Sequence, residues 1–301
     1  MQLTKETSLN IGNVSSTILT YSTIRKQDPK SITQMDVYAS LIKQQGKSFL
    51  VNDLARDLLK ITESRPEPWM VLAHYNEMIN QFDRALFFCD HALSIDKKHF
   101  QALKLKSNLL INSKLFPEAL VILRFAMNIK KDIEVYQSLV SCLISSSRLK
   151  EAYNTAKEAL SLIHNSFAMS IVGTVLVAQG KIKDAKINFK NAIEADSKCF
   201  IAVSSLADLY INEKSFQEAV ELMEKTSLVC NSEAMEIKFG DVYFAKGDFN
   251  LAMGRYATAL NINPDSVLAK AGIARVEKRL NGDEQDEEIG DFDEEELVIN
   301  D

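Results

Sequence analysis

The side chains able to do chemistry in this 301-residue sequence are few and scattered. Histidine stands at 74, 91, 99 and 164, and cysteine at 89, 142, 199 and 230. Cys89 and His91 are the one close pair with metal-ligand chemistry. Two residues apart on a helix they point to different faces, because neighbours on a helix surface are three or four apart. Cys89 is expected to fill a core slot and His91 a surface position, so no metal is expected. No cysteine belongs to a C-x-x-C pair, which suits a reducing compartment. A glycine-rich phosphate loop, an H-E-x-x-H pair and a nucleophile elbow are all missing from the sequence. No catalytic residues, no cofactor and no enzymatic activity are expected.

The elements that position these residues are helices with a regular period. In the stretch GDVYFAKGDFNLAMGRYATALNINPD (240–265), Gly240 is small enough for a close helix–helix contact and Gly247 can end a first helix in the left-handed region. Ala252, Tyr256 and Ala259 then line one face of a second helix, which Pro264 stops. This is the tetratricopeptide pattern, a helix–turn–helix of about 34 residues. The first small residue of the second helix recurs at Ala85, Ala119, Ala152, Ala185, Ala219 and Ala252, with gaps of 34, 33, 33, 34 and 33. Seven residues later stand Ala92, Ala126, Ala159, Ala192, Thr226 and Ala259. The small position of the first helix reads Ala73, Ser107, Val140, Gly173, Ala207 and Gly240, with Val140 out of character. Helices approach to about 8–10 Å only where side chains are small.

The predicted fold is all-α, a right-handed α-solenoid of tetratricopeptide repeats. Residues 32–266 form the array, one degenerate repeat (Tyr38, Ala39, Ile42; Gly46; Val51, Ala55, Leu58) and six clear ones. Residues 1–31 are a partial or irregular N-terminal segment in which Thr17, Tyr21 and Ile24 suit a second helix. Residues 267–280 are a capping helix, with Ile273 and Ala274 placed to pack and Lys270, Glu277, Lys278 and Arg279 facing water. Residues 281–301 are an acidic disordered tail, either solvated throughout or docked on a basic surface through residues such as Asp291, Phe292 and Glu294. Eleven of the 41 acidic residues lie there, leaving 30 against 35 basic residues in the body. That near balance excludes a nucleic-acid-binding character. No signal peptide or membrane span is legible, and a soluble intracellular protein is expected.

An array of this kind offers a groove lined by first helices. By the geometry of tetratricopeptide arrays, the second, fifth, ninth and twelfth residues of each repeat face it. The first three clear repeats place Glu67, Met70, His74 and Glu77, then Gln101, Lys104, Asn108 and Ile111, then Glu134, Gln137, Ser141 and Ile144 there. The later ones place Phe167, Ser170, Thr174 and Val177, then Ile201, Ser204, Asp208 and Ile211, then Ala234, Ile237, Asp241 and Phe244. The lining drifts from polar to apolar along the chain. The candidate protein-binding residues are Lys104, Asn108, Phe167, Val177, Ile201, Asp208, Ile211, Ile237, Asp241 and Phe244. For the apolar ones two readings stand side by side: a strip that binds a partner, or packing beneath the next repeat. Chaperone-binding arrays hold a C-terminal carboxylate with Lys and Asn in one repeat, Asn in the next and Lys and Arg in the third. Lys104 and Asn108 fit the first pair, but Ser138, Phe167 and Ile171 do not continue it, so that ligand is disfavoured.

The stretches MDVYASLI (35–42), EPWMVLAHY (67–75), RALFFCDHALSID (84–96) and LAMGRYATALNINPD (251–265), with the last helix running into an acidic end, resemble the subunit 7 family of the anaphase-promoting complex, or cyclosome. The resemblance covers about residues 31–301 and the C-terminal half of that family. It implies a non-catalytic scaffold subunit of a cell-cycle E3 ubiquitin ligase, nuclear and cytoplasmic, stacked on sister tetratricopeptide subunits. The alternative is an adaptor of another complex, a sister cyclosome subunit or a co-chaperone type. No nucleic acid, membrane or small-molecule substrate is expected as a partner. The family resembles homodimers joined through N-terminal repeats. Here 31 residues precede the first recognisable unit, so those repeats are expected to be missing, through a shortened gene product or a truncated gene model, and homodimerisation stays open.

Overall fold

The computed structural model describes residues 14–44 and 46–281. The first 13 residues and residues 282–301, which hold nearly all of the expected acidic tail, lie outside the described residues. Two compact units divide the chain, residues 1–163 and 164–301. The described residues of the first unit form α1 (Val14–Gln27), α2 (Met35–Gln44), α3 (Ser48–Ile61), α4 (Pro66–Met78), α5 (Phe82–Ile95), α6 (Phe100–Asn112), α7 (Phe116–Ile129), α8 (Ile133–Ser145) and α9 (Leu149–Ile163). Those of the second form α10 (Ser166–Ala178), α11 (Ile182–Ala195), α12 (Phe200–Asn212), α13 (Phe216–Ser227), α14 (Glu233–Lys246), α15 (Phe249–Ile262) and α16 (Val267–Leu280). Among the described residues every regular element is a helix, and each unit is a stack of tetratricopeptide hairpins.

The small side chains explain the hairpins. Ala85, Ala119, Ala152, Ala185, Ala219 and Ala252 are fully buried, and so are Ala92, Ala126, Ala159, Ala192 and Ala259 seven residues on. Midway between each pair stands Cys89, Leu123, Ala156, Phe189, Met223 or Tyr256, every one of them fully buried. Each lies sixteen residues after the small position of its first helix. In two hairpins the fit is glycine against a ring: a Cβ on Gly173 would meet Phe189 at 2.5 Å, and one on Gly240 would meet Tyr256 at 2.5 Å. The same register accounts for Val140. Its counterpart sixteen residues later is Ala156, the smallest of the six, so bulk has changed sides and the summed volume is kept.

Every turn inside a hairpin uses one left-handed residue, at Gly46, Asn80, Lys114, Ser147, Gly180, Lys214 and Gly247, with φ between 57° and 92°. From the second hairpin on, the residue after it donates its N–H five positions back, as in Gln81 to Asn76 and Asp248 to Tyr243, at 2.8 to 3.0 Å. These bonds satisfy carbonyls that a helix end leaves open. Asn80 tolerates this conformation, whereas Lys114, Ser147 and Lys214 carry a Cβ in it, at a cost of about 1–2 kcal/mol each. In the second unit α10, α14 and α16 start on side-chain caps, while α12 starts at Cys199 without one. Asn165, Ser232 and Ser266 accept from the N–H of Ala168, Met235 and Ala269 at 2.9, 3.3 and 3.2 Å.

At the beginning of the described chain, α1 packs on α2 through Tyr21, whose ring lies 5.4 Å from that of Tyr38, and Arg25 pairs with Asp57 of α3 at 2.7 Å. At the other end α16 packs on α14 and α15. Ala269, Gly272 and Val276 are its buried residues and Ile273 is half-buried. Ala274, expected to pack, is instead exposed. It sits about a third of a turn or more from each buried position, on the opposite side of the helix.

Candidate protein-binding surfaces

In the first unit, α4, α6 and α8 enclose an open cleft of about 300 Å³ lined by Glu77, Asn108, Ile111, Asn112, Gln137, Ser138 and Ser141. Five of the seven occupy positions that the repeat register assigns to the groove; Asn112 and Ser138 are the additions. Ser138 Oγ donates to Asn108 Oδ1 at 3.0 Å, holding that amide in place. The charges nearby are already answered. Lys43 of α2 pairs with Glu77, and Lys104 pairs with Glu134. What faces the opening is therefore amide and hydroxyl chemistry beside one isoleucine. Such a lining suits the alternating donors and acceptors of an extended peptide main chain rather than a charged ligand. Lys104 is engaged by Glu134, which adds a physical reason against the carboxylate clamp.

Behind the cleft three groove positions of α4 turn inward. Met70 is fully buried in a cluster with Leu105 and Leu109 of α6, and Glu67 and His74 are also buried. They join a set of charges between α2, α4 and the start of α6. Arg65 pairs with Glu67, and His99 Nε2 lies 3.5 Å from Asp36. His74 Nδ1 lies 3.5 Å from Glu77 Oε2, the outer limit for a hydrogen bond, so Lys43 is the firmer partner of Glu77. Burial pushes the Asp36 carboxyl above its ordinary 3.8, against the pull of His99 and the Val37 N–H. Glu77 goes the other way. Burial would raise it, but bonds to His74 and Lys43 outweigh that and hold it below the usual 4.5. Asp36 and His99 lie 63 residues apart, and no helical period marks their encounter in the sequence.

Cys89 does fill a core slot, fully buried, and burial pushes its thiol upward, away from reactivity. His91 is not a plain surface residue. Its ring lies 4.0 Å from that of Trp69, which half-buries it. The aromatic neighbour was legible, since Trp69 is the chain's one tryptophan, but the pairing spans two helices. Among the described residues no group of three or more His, Cys, Asp or Glu is placed to hold a metal ion.

In the second unit the candidate residues are divided between lining and packing. Phe167, Val177 and Ile201 are half-buried. Ile211, Ile237 and Phe244 are half-buried too, and each packs against the core formed by Val203, Met223, Phe239 and Tyr256. Phe244 has the Phe249 ring at 5.6 Å and the Arg275 guanidinium at 5.3 Å. The two acids are structural partners: Asp208 pairs with Lys238, and Asp241 accepts from Tyr256 Oη and from Arg275, both at 2.7 Å.

No family model matches the chain. Curated relatives do. Anaphase-promoting complex subunit 7 of Arabidopsis thaliana is 29% identical over 279 residues, 92% of this chain and 50% of that protein. Subunit 7 of Dictyostelium discoideum is 30% identical over 271 residues, 89% of this chain and 47% of that one. The chain is similar to anaphase-promoting complex subunit 7 over about nine tenths of its own length. It spans about half the length of the subunit 7 proteins it matches. A crystal structure of the APC/C hetero-tetramer Cut9–Hcn1 shares the fold, with a TM-score of 0.62 and 15% identity over 87% of this chain and 52% of that one. The likeness to subunit 7 thus extends far beyond the alanine positions common to all tetratricopeptide hairpins.

Proposed function

We propose that the chain is a scaffold subunit of the anaphase-promoting complex, the cell-cycle E3 ubiquitin ligase, and that it works by binding proteins rather than by catalysis. The observation that carries this is the subunit 7 likeness across nine tenths of the chain. The partners we assign to it are sister tetratricopeptide subunits, met in the nucleus and cytoplasm. In this reading the cleft between α4, α6 and α8 takes an extended segment of a neighbouring subunit, with Asn108 and Gln137 bonding to its main chain. The half-buried apolar residues of the second unit, Phe167, Val177 and Ile201 foremost, add a second contact surface.

The test is affinity purification of the tagged chain from its own cells, with co-purifying proteins identified by mass spectrometry. Anaphase-promoting complex subunits should be enriched. Recovery of a different complex, with none of those subunits, rejects the reading.

A further inference from the structure

The last helix of the described chain repeats the register of the first helices before it, yet leaves bare a face that they cover. Gly240 of α14 and Gly272 of α16 both lie against the ring of Tyr256, where an added Cβ would meet it at 2.5 and 2.6 Å. Aligned on those glycines, Met235, Glu236, Phe239, Val242 and Tyr243 of α14 correspond to Val267, Leu268, Ala271, Ala274 and Arg275 of α16. All five in α14 are buried. In α16 the first four are exposed, Val267 at 63% and Leu268 at 69%. The contrast does not come from a change to polar residues: the apolar character is retained and the cover is missing from the described residues. Alanine at 271 and 274, where α14 has Phe and Val, leaves room for whatever lies there to bring its own bulk. The helix is also basic, with Lys270, Lys278 and Arg279 against Glu277, besides Arg275, which is bound to Asp241.

We propose that this face is the docking site of the chain's own residues 283–301. That segment carries eleven acidic residues and no Lys or Arg, and its apolar residues are the bulky Ile289, Phe292, Leu297, Val298 and Ile299. Charge and size are thus complementary on both counts. Reach is sufficient, because returning from Leu280 to Val267 covers only about 20 Å of helix. The segment begins within three residues of the end of α16, and so short a tether gives an effective concentration on the order of millimolar. A face with a free-peptide Kd of about 0.1 mM would then be covered about nine-tenths of the time. Docking hides an apolar patch that would otherwise attract other chains.

The experiment uses the full chain with Ala274→benzoylphenylalanine, an exposed position, and maps the photo-crosslinks by mass spectrometry. Crosslinks should fall within residues 283–301 of the same molecule. They should drop several-fold between 0.05 and 0.5 M salt, a screening range of roughly 14 to 4 Å, and at least about fivefold in a Phe292→Ser, Leu297→Ser background. Circular dichroism of each variant checks that helix content is kept. Crosslinks to a second copy, seen as a dimer that rises with concentration, overturn the proposal, as do crosslinks confined to another protein in cells. An unlinked product with α16 intact overturns it as well.

Discussion

The two units solve the same packing problem with different materials. In the first, α4 turns Glu67 and His74 inward, and its interior holds a set of carboxylates answered by Lys43, Arg65 and His99. In the second, glycine meets ring: Phe189 rests on Gly173, and Tyr256 is held between Gly240 and Gly272. Hydrogen bonds from Tyr256 to Asp241 and from Arg275 to both close the arrangement at 2.7 to 3.2 Å. The difference teaches where each unit is sensitive. The shifted carboxylates Asp36 and Glu77 tie the first unit's stability to pH, whereas the glycine–ring fit of the second ties its stability to volume.

The sharpest way to break that comparison is Tyr256→Ala. It empties the space between two glycines that cannot fill it and should cost about 3–5 kcal/mol, read from urea unfolding followed by circular dichroism. Gly173→Ala tests the same idea from the opposite side. Its methyl would strike the Phe189 ring, and overpacking by about 1–3 kcal/mol should exceed the gain of about 1 kcal/mol in helix propensity. A stabilised Gly173→Ala protein would mean that the ring yields, and that fit is looser than the distances say.

The pH argument concerns the first unit, where Trp69 fluorescence is the natural reporter. Asp36 has a raised pKa, so its contribution is complete below the ordinary 3.8 and is lost as pH rises through the raised value. Glu77 has a lowered pKa, so its contribution is present above the ordinary 4.5 and is lost as pH falls through the lowered value. Asp36→Asn should therefore flatten the upper side of a stability–pH profile, and Glu77→Gln the acid side. A profile that neither variant alters would show that these buried charges are not what distinguishes the unit.

Smaller effects are expected at the turns and in the cleft. Lys114→Gly and Lys214→Gly relieve a left-handed Cβ in one unit each, and each should stabilise by up to about 1 kcal/mol. Similar gains in the two would show that turn chemistry is common ground. Asn108→Asp with Gln137→Lys changes the cleft alone. Stability should stay within about 0.5 kcal/mol, while recovery of anaphase-promoting complex subunits falls several-fold. Unchanged recovery would move the contact surface elsewhere. The apolar positions are poorer probes, because an aspartate at Ile211 or Phe244 disturbs the core they pack against as well as any partner.

Hairpins, their repeat and the small positions at Gly173 and Gly240 were legible because each rests on a rule of spacing within a few dozen residues, whereas the rings that meet those glycines came from the structure. Val140 looked irregular only while it was compared with other first helices. Against Ala156, sixteen residues later, it is a balanced exchange. Groove positions were legible as a register but not as a surface. Glu77, Asn108, Ile111, Gln137 and Ser141 do line a cleft, while Met70 and His74, in the same register, point into the interior.

What the sequence by itself determined is the helical hairpin and its stacking contacts. Small side chains seven apart, with one further core side chain between them, permit one close approach and exclude strands. Only the tertiary structure decided which register positions are free, how Asp36 finds His99, and that α16 keeps an apolar face uncovered by the described residues. The physical reason is distance along the chain. Exposure is set by a neighbour some thirty or more residues away, and a local pattern carries no record of whether that neighbour is there.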